Sequence, residues 1–288
     1  MARARQTLER RQLGLALRRI REESGKSQQA AAEAIGRVRS RIVELEDGKG
    51  TLSREDLVKL LDFYGISGDE RETVVALGAQ ARKRQRGRTY TDLLPGAFQR
   101  FADLEASATE IKSCESGIIP GLLQAPSYIN AVFDEADGAW WGAEDPERGQ
   151  RVAFRLERQA RTLNHDTTKS LHFVVSEEVL HAKVGVPDVM REQLAHILHL
   201  TNSRNDLVVQ VLRHDAQNPT RGGGLTVFGF GHRGTPVGFS TTLFGPSTYY
   251  QDTTDIAIMS RVFDHIRASA LSARASLRLI EQILEGME

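Results

Sequence analysis

The sequence predicts a mainly α N-terminal domain of five short helices followed by an α+β C-terminal domain with a small sheet. Three observations carry this. Over the first eighty residues apolar side chains recur at helical spacing, interrupted at short intervals by cap residues and glycines. Beyond residue 110, short β-rich runs alternate with helical ones. At 288 residues the chain is also too long for one small helical module and suits two domains, each burying its own core. The boundaries expected are 1–78 for the first domain, 79–90 for a basic linker and 91–288 for the second.

Leu13, Leu17 and Ile20 fall at i, i+4 and i+7 and line one face of a first helix, with Arg10, Arg11, Arg18, Arg19 and Arg21 on its other side. Ser24 and Gly25 end it. Ser27 is placed to cap a second helix, in which Ala31 and Ile35 face inward and Gln28 stands at the exposed start. Gly36 makes a tight turn. A third helix is expected from about Val38 to Asp47, with Gly48 as its left-handed stop. It turns Ile42 and Leu45 inward and carries Arg39, Ser40, Val43 and Glu44 on the other face. Ser53 opens a fourth helix with an S-x-x-D pattern like a capping box, and Leu57, Leu60 and Leu61 form its buried stripe. Tyr64 and Ile66 close the core.

Helices this short need tertiary packing, so the polar face of the third helix calls for a reason other than stability. Charge supplies one. The chain is neutral overall, yet residues 1–90 hold 20 Lys and Arg against 13 Asp and Glu, leaving 18 against 25 for the remainder. A basic head on an acidic body favours phosphates at the head and predicts salt-sensitive binding. A pair of short helices with the second presenting polar side chains is the layout that enters a DNA groove.

The pattern L-G-x-x-L-R-R-I-R-E-x-x-G-x-S-Q, then I-G, then I-x-x-L-E-x-G, spans Leu13 to Gly48 and resembles the xenobiotic-response-element (Cro/CI-type) family of helix-turn-helix regulators. The resemblance implies that Gln28 contacts phosphate and braces the reading helix. It further implies that Arg39 and Ser40 reach base edges and that Val43 and Glu44 lie one turn further along, with Arg37, Arg41 and Lys49 as phosphate anchors. Each role has a chemical basis: Arg39 can pair with guanine in bidentate fashion, Glu44 can accept from cytosine, and Val43 can touch a thymine methyl. The chain departs from the family at Arg37, where an apolar residue is usual, at Val38, where Ser or Thr usually caps, and at Glu44, where Arg is frequent. Loss of a good cap costs about 1 kcal/mol, so the third helix is expected to start in a slightly different place. Glu44→Ala is expected to alter base preference more than total affinity.

Residues 79–88, AQARKRQRGR, bring five basic residues together without apolar periodicity and read as a solvated linker, with a basic arm along DNA as the alternative. Phe98, Phe101 and Leu104 then begin a helix, Ile111 lies in a strand-like run, and Tyr128, Ile129, Val132 and Phe133 mark the next helix. Arg151–Leu163 reads as an amphipathic helix with Val152, Leu156, Ala160 and Leu163 inward and its arginines outward. Strands are expected at 171–175, 207–212, 225–230 and 237–241, with helices at 187–200, 254–268 and 272–284.

The landmarks LEASATEIKSCESGIIPGLLQAPSYINAV, RVAFRLERQARTL and VFDHIRASALSARASLRLI resemble the antitoxin-like domain that follows such helix-turn-helix modules in actinobacterial regulators, including the WhiJ-like proteins of Streptomyces development. That resemblance implies a body that receives a protein or ligand signal, often beside a gene for a small acidic partner protein. It allows a second reading, in which the chain mainly holds such a partner and regulates its own operon. The stretch PVGFSTTLFGPSTYYQD departs from the relatives.

Motifs that suggest an enzyme are weak. Gly229-x-Gly231-x-x-Gly234 spells a dinucleotide fingerprint, but Thr235, Pro236 and a β-like run follow where a helix is required. Arg221 and the three glycines after it read as a loop. His196 and His199 lack further ligands at suitable spacing, and their place off the apolar helix face predicts exposure. Cys114, the single cysteine, sits in an apolar run and reads as buried filler. Trp140 and Trp141 either cover the domain core or a dimer seam or, with Tyr128, line a surface that takes an apolar ligand or a partner.

No apolar run approaches the roughly 20 residues of a membrane span, and no apolar segment follows the basic N-terminus to make a signal peptide. The expectation is therefore a cytoplasmic, non-enzymatic DNA-binding regulator without metal or cofactor, a homodimer on a double-stranded operator, controlling development, secondary metabolism or its own operon.

Overall fold

In the computed structural model, residues 6–83, 89–93, 95–140, 146–163, 168–221, 223–241 and 247–287 are described, and the chain divides into two units. The first comprises Met1–Ala108, Gly229–Val237 and Thr242–Asp255, and the second Thr109–Phe228, Gly238–Thr241 and Ile256–Glu288. The α+β arrangement behind a helical N-terminal region is the one the sequence predicts.

The first unit opens with α1 (Leu8–Glu23), capped by the Thr7 hydroxyl, which accepts from the Arg10 N–H. Then come α2 (Gln28–Ala34), α3 (Arg39–Glu46), α4 (Arg54–Tyr64) and α5 (Gly68–Arg82). Ser27 and Ser53 cap α2 and α4 as expected, accepting from the N–H groups of Ala30 and Asp56. Leu13, Leu17, Ile20, Ala31, Ile42, Leu45, Leu57, Leu60, Leu61 and Leu77 form one core. Two expectations fail here. Arg11 and Arg21 are buried, not outward-facing, because α1 meets protein on more than one side. And α5 runs through residues 79–82, which the sequence assigns to the linker: Leu77 and Ala81, one turn apart, both face the core, and the Ala81 carbonyl accepts from Arg10 Nε. Residues 84–88 of that linker lie outside the described residues.

Two short strands, β1 (Thr89–Thr91) and β7 (Thr248–Tyr250), pair antiparallel in this unit with Tyr90 opposite Tyr249. Neither was expected. Between them in sequence, α6 (Ala97–Ser107) carries Arg100, buried and held in a two-pronged ion pair with Asp92. Leu104 is buried, whereas Phe98 points to solvent.

In the second unit β2 (Glu110–Glu115), β3 (Ser170–Ser176) and β4 (Leu207–Leu212) run parallel, with Ile111 beside Leu171 and Leu171 beside Leu207. β5 (Leu225–Gly229) and β6 (Val237–Ser240) extend the sheet in the order β6-β5-β2-β3-β4. Parallel neighbours require long crossovers. From β2 to β3 these are a 3₁₀ turn (Gly121–Leu123), α7 (Pro126–Ala136) and α8 (Arg148–Thr162), and from β3 to β4 they are α9 (Glu177–Leu180) and α10 (Pro187–Ser203). The chain closes with α11 (Thr253–Ser269) and α12 (Ala273–Glu285), whose cap Ser272 accepts from the Ala275 N–H.

The expected inner face of α8 is also corrected. Ala160 is exposed, and Val152, Leu156 and Leu163 are only half-buried. Instead Arg155 stacks on the Phe133 ring at 4.6 Å and donates to Gln124 Oε1, while Gln159 donates to the carbonyls of Gly121 and Gln124. The reason is the neighbouring 3₁₀ turn, whose carbonyls need donors that an aliphatic face does not supply.

Candidate nucleic-acid interface

The third helix is set by its ends. Val38 is extended (φ −88°, ψ 151°) and makes no side-chain cap bond, so helical geometry starts at Arg39. The missing hydroxyl forgoes about 1 kcal/mol, as its sequence suggested. At the other end Asp47 is followed by Gly48 in the left-handed region (φ 68°), where an added Cβ would also lie 2.8 Å from Arg11 Cα. Only glycine fits both conditions.

Between these ends, Ile42 and Leu45 are buried while Arg39, Ser40 and Glu44 are exposed, and Arg41 and Val43 are half-exposed. Gln28 connects this face to the interior. Its Nε2 donates to Glu46 Oε2 (2.9 Å), and its Oε1 accepts from Arg39 Nη2 (3.0 Å). Glu46 in turn accepts two hydrogen bonds from Arg21, at 2.6 and 3.0 Å, within the core. That hydrogen bonding raises the Arg21 pKa above its ordinary value. A buried carboxylate is thus satisfied from two helices, and the outermost member of the chain, Arg39, is held in place by charge-assisted bonds.

The other basic residues are tied more locally. Arg37 pairs with Asp56 of α4 at 2.9 Å, and that bond lowers the Asp56 pKa. Arg41 donates to the Thr51 carbonyl (2.7 Å) and to Glu44 Oε2 (3.2 Å), fixing the loop after α3. Lys49 pairs with Asp47 at 2.6 Å on the surface. Arg37, Arg39, Arg41 and Lys49 therefore border one helix and its flanking turns, beside Ser40, Val43 and Glu44. Exposed ion pairs of this kind contribute little to stability.

The foot of the same helix is braced differently. Gln6 Nε2 donates to the Asp47 carbonyl at 2.6 Å, and Gln6 Oε1 accepts from Arg11 Nη2 at 2.9 Å. Arg11 Nη2 also donates to the Thr235 carbonyl (3.1 Å), and its guanidinium lies 3.7 Å above the Phe230 ring. Burial lowers the Arg11 pKa to about 10. A Cβ on Gly234 would come within 2.1 Å of Arg11 Nη2, so this turn closes tightly on the side chain. Sequence reasoning missed Gln6, Arg11, Arg21, Glu46 and Phe230. The one signal available was Arg21, four residues after Leu17 and thus near the apolar stripe.

Of the aromatic residues expected at a ligand or partner surface, two lie among the described residues and they differ in setting. Tyr128 is buried to 1% exposure and its hydroxyl accepts from the Ile119 N–H, which makes it a core residue. Trp140 is 54% exposed at the turn after α7, and Trp141 lies outside the described residues. The glycine fingerprint runs from β5 into a 3₁₀ turn (Gly231–Arg233) and then β6, with no helix at the glycines. Cys114 is buried, which raises its thiol pKa. His199 is exposed, but His196 is half-buried and burial lowers its pKa. Among the described residues no three His, Cys, Asp or Glu side chains cluster as metal ligands, and no helix is long and apolar enough to cross a membrane.

Residues 12–74 match a family described as a helix-turn-helix domain, and residues 98–282 match one described as a domain of unknown function (DUF5753). No curated protein and no solved structure matches the chain.

Proposed function

The chain belongs to the DUF5753 family and carries a helix-turn-helix domain ahead of it, and we propose that it is a sequence-specific transcriptional regulator whose C-terminal region receives a protein or small-ligand signal. The helix-turn-helix domain makes it a DNA-binding regulator. The finer assignment rests on α3: its polar face is exposed, and its leading arginine is held through Gln28 and Glu46 to the core. A guanidinium fixed before binding loses little entropy on meeting a guanine edge.

In this reading Arg39, Ser40, Val43 and Glu44 face bases, while Gln28, Arg37, Arg41 and Lys49 face phosphates. The regulator acts as a homodimer on an inverted repeat, since two-fold protein symmetry matches a palindromic site. Its targets lie in development, secondary metabolism or its own operon.

Selection of bound genomic fragments by the full chain at moderate and at high salt tests this. Enrichment of an inverted repeat at moderate salt, weakened at high salt and abolished by Arg39→Ala and Arg41→Ala, is the expected result. No enrichment at moderate salt, or enrichment that both variants leave intact, overturns the assignment.

A further inference from the structure

We propose that Val38 reads the C5-methyl group of a thymine beside the base pair met by Arg39. The proposal rests on the reading of α3 given above. Val38 is 69% exposed, and no other large apolar side chain among the described residues of α1–α5 is as exposed.

Its position is costly for a valine. α1, α2 and α4 all start behind a hydroxyl that accepts a backbone N–H, at Thr7, Ser27 and Ser53, whereas α3 starts behind a side chain that can accept nothing. Nothing is regained in packing, because the side chain stands in solvent. A residue that breaks a local rule without a structural return marks a functional position.

The neighbours narrow the function. Arg37 is drawn aside by Asp56 and Arg39 by Gln28, so a short branched apolar side chain stands between two held guanidiniums. Guanidiniums on either side suit a nucleic-acid surface and not an apolar protein partner. In the major groove the thymine methyl is the one apolar group offered by a base edge; the rest are donors and acceptors. Val43, the residue the sequence suggested for this contact, is half-buried and stands further along the helix.

The test uses the full chain and the duplex it selects from a random pool. Each thymine of the selected consensus is replaced singly by deoxyuridine, which removes only the methyl. For the unaltered chain, one thymine position is expected to lose about fourfold in affinity, the worth of one buried methyl. Val38→Ser is expected to bind thymine and uracil equally at that position, and its folding is not at risk because serine is the better cap. The proposal is overturned if no thymine is sensitive, if Val38→Ser keeps the same sensitivity, or if Val43→Ala abolishes it while Val38→Ser does not. If no sequence is selected at all, the assignment of α3 as a DNA reader fails, and this inference with it.

Discussion

Two helices of this chain are rich in arginine and use it in opposite ways. α3 turns Arg39 and Arg41 outward, each restrained by an acceptor next to it, Gln28 for one and Thr51 for the other. α8 carries Arg148, Arg151, Arg155, Arg158 and Arg161 at three- and four-residue steps, which reads as a basic face. Yet Arg155 lies on the Phe133 ring and Arg148 reaches the Asn130 carbonyl and Asp134. What separates the two is the nearby supply of acceptors and rings. Where the Phe133 ring and the Gln124 side chain lie alongside, the Arg155 guanidinium packs inward. Where the core is closed by Ile42 and Leu45, they remain available to an external anion.

The contrast can be broken most severely at its hidden support. Glu46→Ala leaves Arg21 buried without its carboxylate, and removing one partner of a buried pair costs about 3–5 kcal/mol. Urea unfolding of the full chain should show that loss, with DNA binding abolished at working temperature. An unchanged midpoint would mean that the Arg21–Glu46 pair does not support the core.

The α8 side is tested by pH. Glu115 at the end of β2 has its pKa raised to about 7 from 4.5, mainly by burial, with Arg158 of α8 opposing the shift. Because the folded pKa lies above the unfolded one, this group's contribution is fully present below pH 4.5 and is lost as pH rises through about 7. Over that interval it amounts to up to about 3 kcal/mol. Glu115→Gln should flatten this slope and raise the unfolding midpoint near pH 8. A slope that survives the substitution belongs to another group.

Smaller effects distinguish the helices directly. Arg39→Lys keeps the charge but loses the planar fork, so the ratio of specific to non-specific DNA affinity should fall about tenfold, or ~1.4 kcal/mol. Stability should hardly move. Arg155→Ala should do the reverse, destabilising by about 1 kcal/mol through the lost ring contact and hydrogen bond while operator affinity stays within about twofold, a difference of ~0.4 kcal/mol. A change in DNA affinity with Arg155→Ala would place α8 on the nucleic acid and dissolve the comparison.

Much of the N-terminal fold was legible because its signals are local. Ser27 and Ser53 as caps, Gly48 as a stop, and the Leu13–Leu17–Ile20 stripe all act within a few residues of themselves. The outer face of α3 was legible for the same reason. What escaped depends on partners far away in sequence. Arg21 is buried because Glu46 lies 25 residues on, and Arg11 because Thr235 lies 224 residues on. β1 and β7 are three-residue strands that gain order only from each other. On α8, hydrophobic periodicity gave the wrong face because polar donors were needed inside. Tyr128 was misread since an aromatic ring with a hydroxyl suits a pocket and a core equally until Ile119 is seen to bond it.

The clasp of Arg11 on Phe230 and Thr235 bears on portability. The stretch 1–78 has the length of a self-sufficient cassette, but grafted onto a foreign body it would leave a desolvated cation with neither ring nor carbonyl, directly beneath the glycine that stops α3. An engineer exchanging operator preferences between such regulators would have to transplant the hairpin around Gly234 as well. Drift at that glycine, nearly 190 residues beyond the end of α3, is where the clasp on Arg11 would first be lost.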